Sequence, residues 1–157
     1  MGGELLKERV LAARELMDTG RRELIAVIRD AQKAGLTQRE IAKVVGCSQP
    51  EVNRLLRFQG TSPNGRILRK KRREVTEYLR SEGCFAPRVF GSTARGEDGV
   101  ESDIDLLASS KNPIGLLSQS RIEAQLTDML GVKVDFVLQD TLRPDFADRI
   151  LAEAVPL

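Results

Sequence analysis

The sequence predicts an α+β protein, with an all-helical domain followed by a small mixed β-sheet flanked by helices. Three observations lead there. The first part of the chain places apolar residues at helical spacing and shows no strand pattern. From Pro87 onward, short β-branched runs alternate with helical patterns. The charge also changes sign between the halves. Residues 1–80 carry 18 Lys and Arg against 10 Asp and Glu, a balance of +8, whereas residues 81–157 carry 7 against 13, a balance of −6.

The basic half reads as a series of helices. Leu5, Leu6, Val10, Leu11, Leu16 and Met17 give a first helix that is expected to end near Thr19-Gly20. A second is expected over 21–34, with Leu24, Ile25, Ile28 and Ala31 inward and Gly35 beyond its end. The stretch LTQREIAKVVGCSQPEVNRLLRF then carries two capping boxes, Thr37 with Glu40 and Ser48 with Glu51. Gly46 lies between them, where a left-handed turn is needed. Two short helices across such a turn make a helix-turn-helix, and residues 21–58 resemble the bacterial repressor type. Val52, Leu55 and Leu56 face the core with Ile41, Ala42 and Val45. Gln49, Asn53 and Arg57 form an outer stripe flanked by Pro50 and Arg54. Amides and guanidinium groups read base edges or hold phosphates, so these five residues are the expected DNA contacts.

QGTSPNG, residues 59–65, is a dense turn-forming cluster, and it sets the expected domains at 1–62 and 66–157. After it, RILRKKRREVTEYLRSEG gives a helix whose basic run, residues 69–73, reads best as a solvated face. Strands are expected over 87–90, 104–108 and 132–138, and helices over 114–130 and 144–154.

The chemistry is concentrated in VFGSTARGEDGVESDIDLLA, residues 89–108. Residues i and i+2 share a strand face, so Asp103 and Asp105 project together while Ile104 turns inward. If the strand GVKVDFVLQ lies alongside, Asp135 joins them, with Lys133 on the same face. Three carboxylates so gathered repel one another unless cations sit among them. Magnesium takes carboxylate oxygens and leaves positions for water and phosphate, and a pair of such ions suits in-line phosphoryl or nucleotidyl transfer. Gly91-Ser92 supplies the complementary half: close backbone approach, a hydroxyl and, with Arg95 in the same turn, a donor set for phosphate oxygens. The chain contains no histidine, which excludes imidazole acid–base chemistry, Ser-His-Asp triads and histidine-ligated zinc.

Gly91, Ser92, Asp103, Ile104, Asp105 and Leu106 fit the signature hG-[GS]-x(9–13)-Dh-[DE]h, and the chain here resembles the DNA polymerase beta-like nucleotidyltransferase superfamily. Within it, GSTARGEDGVESDIDL is most similar to the minimal nucleotidyltransferases, and the resemblance spans about residues 66–157. It implies that Asp103, Asp105 and Asp135 bind magnesium as two ions, and that Gly91 and Ser92 hold the triphosphate of ATP as substrate. It also makes Asp135 a candidate general base. Many members of that group are antitoxins beside a HEPN-type toxin, which some silence by transferring AMP to a tyrosine. The fused helix-turn-helix departs from the pattern and suits repression of the protein's own operon at operator DNA. A homo-oligomer such as a dimer is expected.

Two other readings stay open: a regulator that senses nucleotide without turnover, and an adenylyltransferase of small molecules. The small size of the second domain favours an acceptor that brings its own surface. No signal peptide or membrane-spanning run is visible, and two distant cysteines, Cys47 and Cys84, suit a reduced cytoplasm.

Overall fold

A computed structural model describes residues 2–157. The chain divides into two compact units, Met1–Leu56 and Arg57–Leu157.

The first unit is helical. Helix α1 runs unbroken over Gly3–Lys33, so the expected interruption at Thr19-Gly20 does not occur. A lone interior glycine costs only about 1 kcal/mol relative to alanine, and the helix-forming residues on either side outweigh it. Helices α2 (Gln38–Val45) and α3 (Gln49–Leu56) follow. The Thr37–Glu40 capping box forms in full, and Gly46 ends α2 at φ 77°. The second box is half made. Ser48 Oγ accepts from the Glu51 N–H at 3.3 Å, while the Glu51 carboxylate turns to Arg54 at 2.5 and 2.8 Å. Ile25 and Ile28 of α1 pack with Ile41, Ala42, Val52 and Leu55 into one small core.

The second unit is a mixed sheet with helices on it, in agreement with the predicted class. Helix α4 (Pro63–Ser81) precedes strand β1 (Cys84–Phe90), short helix α5 (Gly91–Arg95) and strand β2 (Ile104–Ser110). Helix α6 (Leu116–Leu130) crosses over to strand β3 (Val134–Leu138), a single 3-10 turn follows at Gln139–Thr141, and α7 (Pro144–Glu153) leads to β4 (Val155–Pro156). The strand order is β3-β2-β1-β4. Strands β2 and β3 are parallel, and β1 is antiparallel to both of its neighbours. A bulge between Phe85 and Arg88 holds Ala86 at φ 50°, an unusual angle for a residue with a Cβ.

One core serves this unit. Leu68, Val75 and Leu79 of α4 and Ile122, Leu126 and Leu130 of α6 bury against Leu106, Val134, Phe136 and Leu138 of the sheet. Each such side chain contributes roughly 1.5–3 kcal/mol of burial. On β3, Val134, Phe136 and Leu138 are buried while Asp135 and Val137 between them are only half-buried, as the pleat requires.

Two sets of polar contacts position the loops and the edge of this sheet. Edge strand β3 turns its outward backbone groups to α6. Gln119 Nε2 donates to the Phe136 carbonyl at 2.9 Å, the Phe136 N–H donates to Glu123 Oε2 at 2.9 Å, and the Val134 N–H donates to Thr127 Oγ1 at 3.1 Å. These three helix residues fall at i, i+4 and i+8, so one stripe of α6 covers the edge. The second set lies at the start of α4, in the turn-forming stretch. Asn64 is buried, its N–H donates to Asp98 Oδ2 at 2.8 Å and its Nδ2 donates to the Ser102 carbonyl at 2.6 Å. That ties the loop preceding Asp103 to the helix beneath it.

Candidate active site

The parallel register pairs Asp105 with Asp135 directly. Asp103 lies just before β2, and Ile104 between the two aspartates is fully buried. The three carboxylates predicted from spacing therefore gather at one end of β2 and β3. Asp105 sits on an inner strand, with Phe90 of β1 opposite it on the other side. Its carboxyl pKa is pushed up to about 6, first by burial and then by the charges of Asp135 and Asp103.

Lys133 answers part of that negative charge. Its Nζ lies 2.6 Å from Asp103 Oδ2 and 3.4 Å from Asp135 Oδ1. Both contacts raise the lysine pKa, that to Asp103 more. Among the described residues no three acidic side chains converge closely enough to share one ion as placed, since Asp103 and Asp135 both lean on the ammonium. The donor set is nonetheless oxygen only, crowded, and anchored by a carboxylate that resists ionisation. Its chemistry fits a hard divalent cation such as magnesium.

Gly91 completes this end of the site. It follows β1 at φ 68°, and a Cβ there would strike the Asp105 carboxylate. Glycine is required twice over, by backbone angle and by space. Beside it opens a cleft of about 390 Å³ lined by Phe90, Gly91, Ser92, Arg95, Asp105, Arg149, Ile150 and Glu153. That volume is on the scale of nucleotide-sized ligands, roughly 300–1,000 Å³. Ser92 is on the cleft wall as expected. Arg95 is there too, but its guanidinium is engaged by Glu97 at 2.9 Å and by Glu153. Arg149, Ile150 and Glu153 of α7 were not singled out from the sequence. The visible signal was their i, i+1, i+4 spacing, which puts them on one side of an amphipathic helix.

Four of the residues expected to touch DNA lie in the first unit, and Arg57 is the first residue of the second. Gln49, Pro50, Asn53 and Arg54 are exposed on α3, with Gln49 accepting from Arg39 Nε at 3.3 Å and Arg54 paired to Glu51. Helix α3 ends at Leu56, so Arg57 falls one residue beyond the helix rather than on its third turn.

Two measurements check this geometry. Gly91→Ala is expected to cost about 2–4 kcal/mol in denaturant unfolding, combining positive-φ strain with displacement of Asp105. Gly131→Ala, at the same φ of 68° but in open space, should show the strain of about 1–2 kcal/mol alone. Equal losses would remove the steric role of Gly91. The second check is pH. The folded state holds the Asp105 proton up to about pH 6, against an ordinary value of 3.8, so wild-type stability falls as pH rises across that window. In chelator, Asp105→Asn should gain on wild type between pH 4 and pH 7 by about 1–2 kcal/mol after allowance for solvent screening. A pH-independent difference would contradict the coupling.

A family model described as a nucleotidyltransferase domain matches residues 68–157. The protein adenylyltransferase MntA of Thermococcus cleftensis is 37% identical over 89 residues, which are 57% of this chain and 87% of the relative. Among solved structures, a "putative minimal nucleotidyltransferase" is 40% identical with a TM-score of 0.53, covering 57% of this chain and 92% of its own. A toxin–antitoxin crystal structure with AMP-PNP shares the fold alone, at 18% identity and a TM-score of 0.50, over 55% of this chain and 69% of that one. The match from Leu68 to Leu157 takes in the whole of the carboxylate cluster and its glycine cradle, and on it the chain belongs to the nucleotidyltransferase domain family.

Proposed function

We propose that the chain is a magnesium-dependent protein adenylyltransferase that moves AMP from ATP onto a hydroxyl of a HEPN-type toxin, acting as its antitoxin. One observation carries this most directly. Asp105 is shared between the cleft lined by Ser92 and the cluster completed by Asp103 and Asp135, so a nucleotide in the cleft ends at the carboxylates. The protein adenylyltransferase relative from Thermococcus cleftensis supports a protein acceptor.

In this reading Asp103, Asp105 and Asp135 hold the magnesium ions, and Lys133 yields the place it shares with Asp103 and Asp135. Magnesium supplies positive charge to phosphate oxygens as negative charge develops on them. The Gly91 backbone and the Ser92 hydroxyl hold the triphosphate, while Arg149 and Arg95 add positive charge along the cleft wall. The acceptor oxygen attacks the α-phosphorus, the bond to the bridging oxygen breaks, and pyrophosphate leaves. Asp135, half-buried on strand β3, takes the acceptor's proton. A tyrosine hydroxyl, with a reference pKa of about 10, gives up that proton far more readily than an aliphatic alcohol. The acceptor is therefore a tyrosine.

The first unit, in the same proposal, is a DNA-binding helix-turn-helix that represses the protein's own operon. Support comes from its local geometry: a capped α2, a left-handed glycine turn, and an α3 whose outer face presents Gln49, Asn53 and Arg54.

Incubation of the full chain with magnesium, labelled ATP and the product of the neighbouring gene tests the transfer. Mass spectrometry should find AMP on a tyrosine of that protein, and Asp103→Asn should abolish the product while the chain stays folded. A partner that binds but gains no AMP would leave neutralisation by contact alone. For the DNA half, Asn53→Ala should reduce discrimination by about 1–3 kcal/mol, and Arg57→Ala should lower the salt slope by roughly one unit. Absence of salt-sensitive DNA binding by the full chain would end that part of the proposal.

A further inference from the structure

Helix α1 is far longer than its unit needs. Only Ile25 and Ile28 of its 31 residues are buried. Over the remaining length it presents an apolar stripe to solvent, with Met17 73% and Val27 63% exposed. The stripe has a specific period. Leu6, Val10, Ala13 and Met17 are spaced four, three and four, and Gly20, Leu24 and Val27 continue at three, four and three. Every position is apolar or small. Alternating steps of three and four are the seam by which one α-helix packs along another, whereas burial in a globular core needs a broader face.

The seam is complementary to itself. When α1 is laid antiparallel on a second α1 so that Val10 meets Val27, the large Met17 falls opposite Gly20 and Leu24 falls opposite Ala13. The same register brings Arg9, beside the seam, to Asp30 of the second copy and, on the other flank, sets Arg14 beside Arg21, so the packing of large against small residues along the seam decides the orientation. A parallel arrangement would place glycine on glycine and alanine on alanine, leaving gaps, and would set Arg9 against Arg14. From Leu6 to Val27 the seam is about 32 Å long. Closing it buries on the order of 1,000 Å² over two copies, where specific interfaces begin. We infer that the exposed face of α1 is an antiparallel homodimer interface, its occupant a second copy of this chain. The inference stands apart from the transfer reaction and from DNA binding, and neither test above decides it.

Light scattering on the full chain at tens of micromolar should give twice the 17.4 kDa chain mass. Met17→Glu places two carboxylates at the centre of the seam and should weaken association at least roughly a hundred-fold. Met17 is exposed within its own chain, so circular dichroism should still show a folded protein. Orientation has its own readout: Val10→Cys with Val27→Cys in one chain should cross-link two copies under mild oxidation, and Val10→Cys alone should not, each read against the wild-type cysteines. A wild-type chain that stays monomeric would overturn the interface, and so would a Met17→Glu chain that keeps the doubled mass. Cross-linking of Val10→Cys alone would overturn the antiparallel pairing.

Discussion

The register of β3 on β2 is the constraint on which the catalytic end of this molecule depends. It is held from both sides. Hydrogen bonds to β2 align Asp135 with Asp105, and the Gln119, Glu123 and Thr127 stripe of α6 takes up the outward groups of Val134 and Phe136. A slip of one residue would turn Asp135 into the core and Phe136 into solvent. It would also leave the α6 side chains without partners in a partly buried setting, where an unmade hydrogen bond costs about 1–3 kcal/mol. The edge strand that carries Asp135 is thus closed to further strand pairing by the same contacts that position it.

Electrostatics explains why so much scaffold surrounds three short side chains. Asp105 lies on an inner strand against the Gly91 backbone, where its charge is poorly solvated, and Asp103 and Asp135 stand nearby. The charges of Arg95 and Lys133 offset part of the repulsion at Asp105. Such a cluster is costly to fold in isolation. Its cost is differential, however: a positive charge placed among the carboxylates would lower it, and the part relieved would count towards binding that charge. The Asn64–Asp98–Ser102 contacts hold the loop before Asp103 through that strain.

Much of this was legible in the residues. Alternation on GVKVDFVLQ and on SDIDL gave the strands and the facing carboxylates, because a pleat has a period of two whatever surrounds it. The turn residues Gly46 and Gly91 and the Thr37–Glu40 box were visible because each answers a local backbone demand. The continuity of α1 was not visible, since a glycine in a helical pattern reads equally as an end or as a tolerated weak point. Nor were the roles of Asn64, Glu123 and Glu153. Each of these acts on a residue far along the chain, at Ser102, Phe136 and Arg95, and no local period announces such a partner.

The crossover from β2 to β3 has a consequence for the order of events at the ribosome. Asp105 and Asp135 are 30 residues apart (135 − 105), and α6 must form and dock before the second meets the first. Parallel pairing across such a span is slow compared with local helix packing. The helical unit, closed by contacts among residues 25–55, can fold while the sheet is still incomplete on the emerging chain. Newly made chains therefore pass through an interval in which the first unit is shaped and the carboxylate cluster does not yet exist. A protein of this design completes its two units in sequence during synthesis, the helical one first.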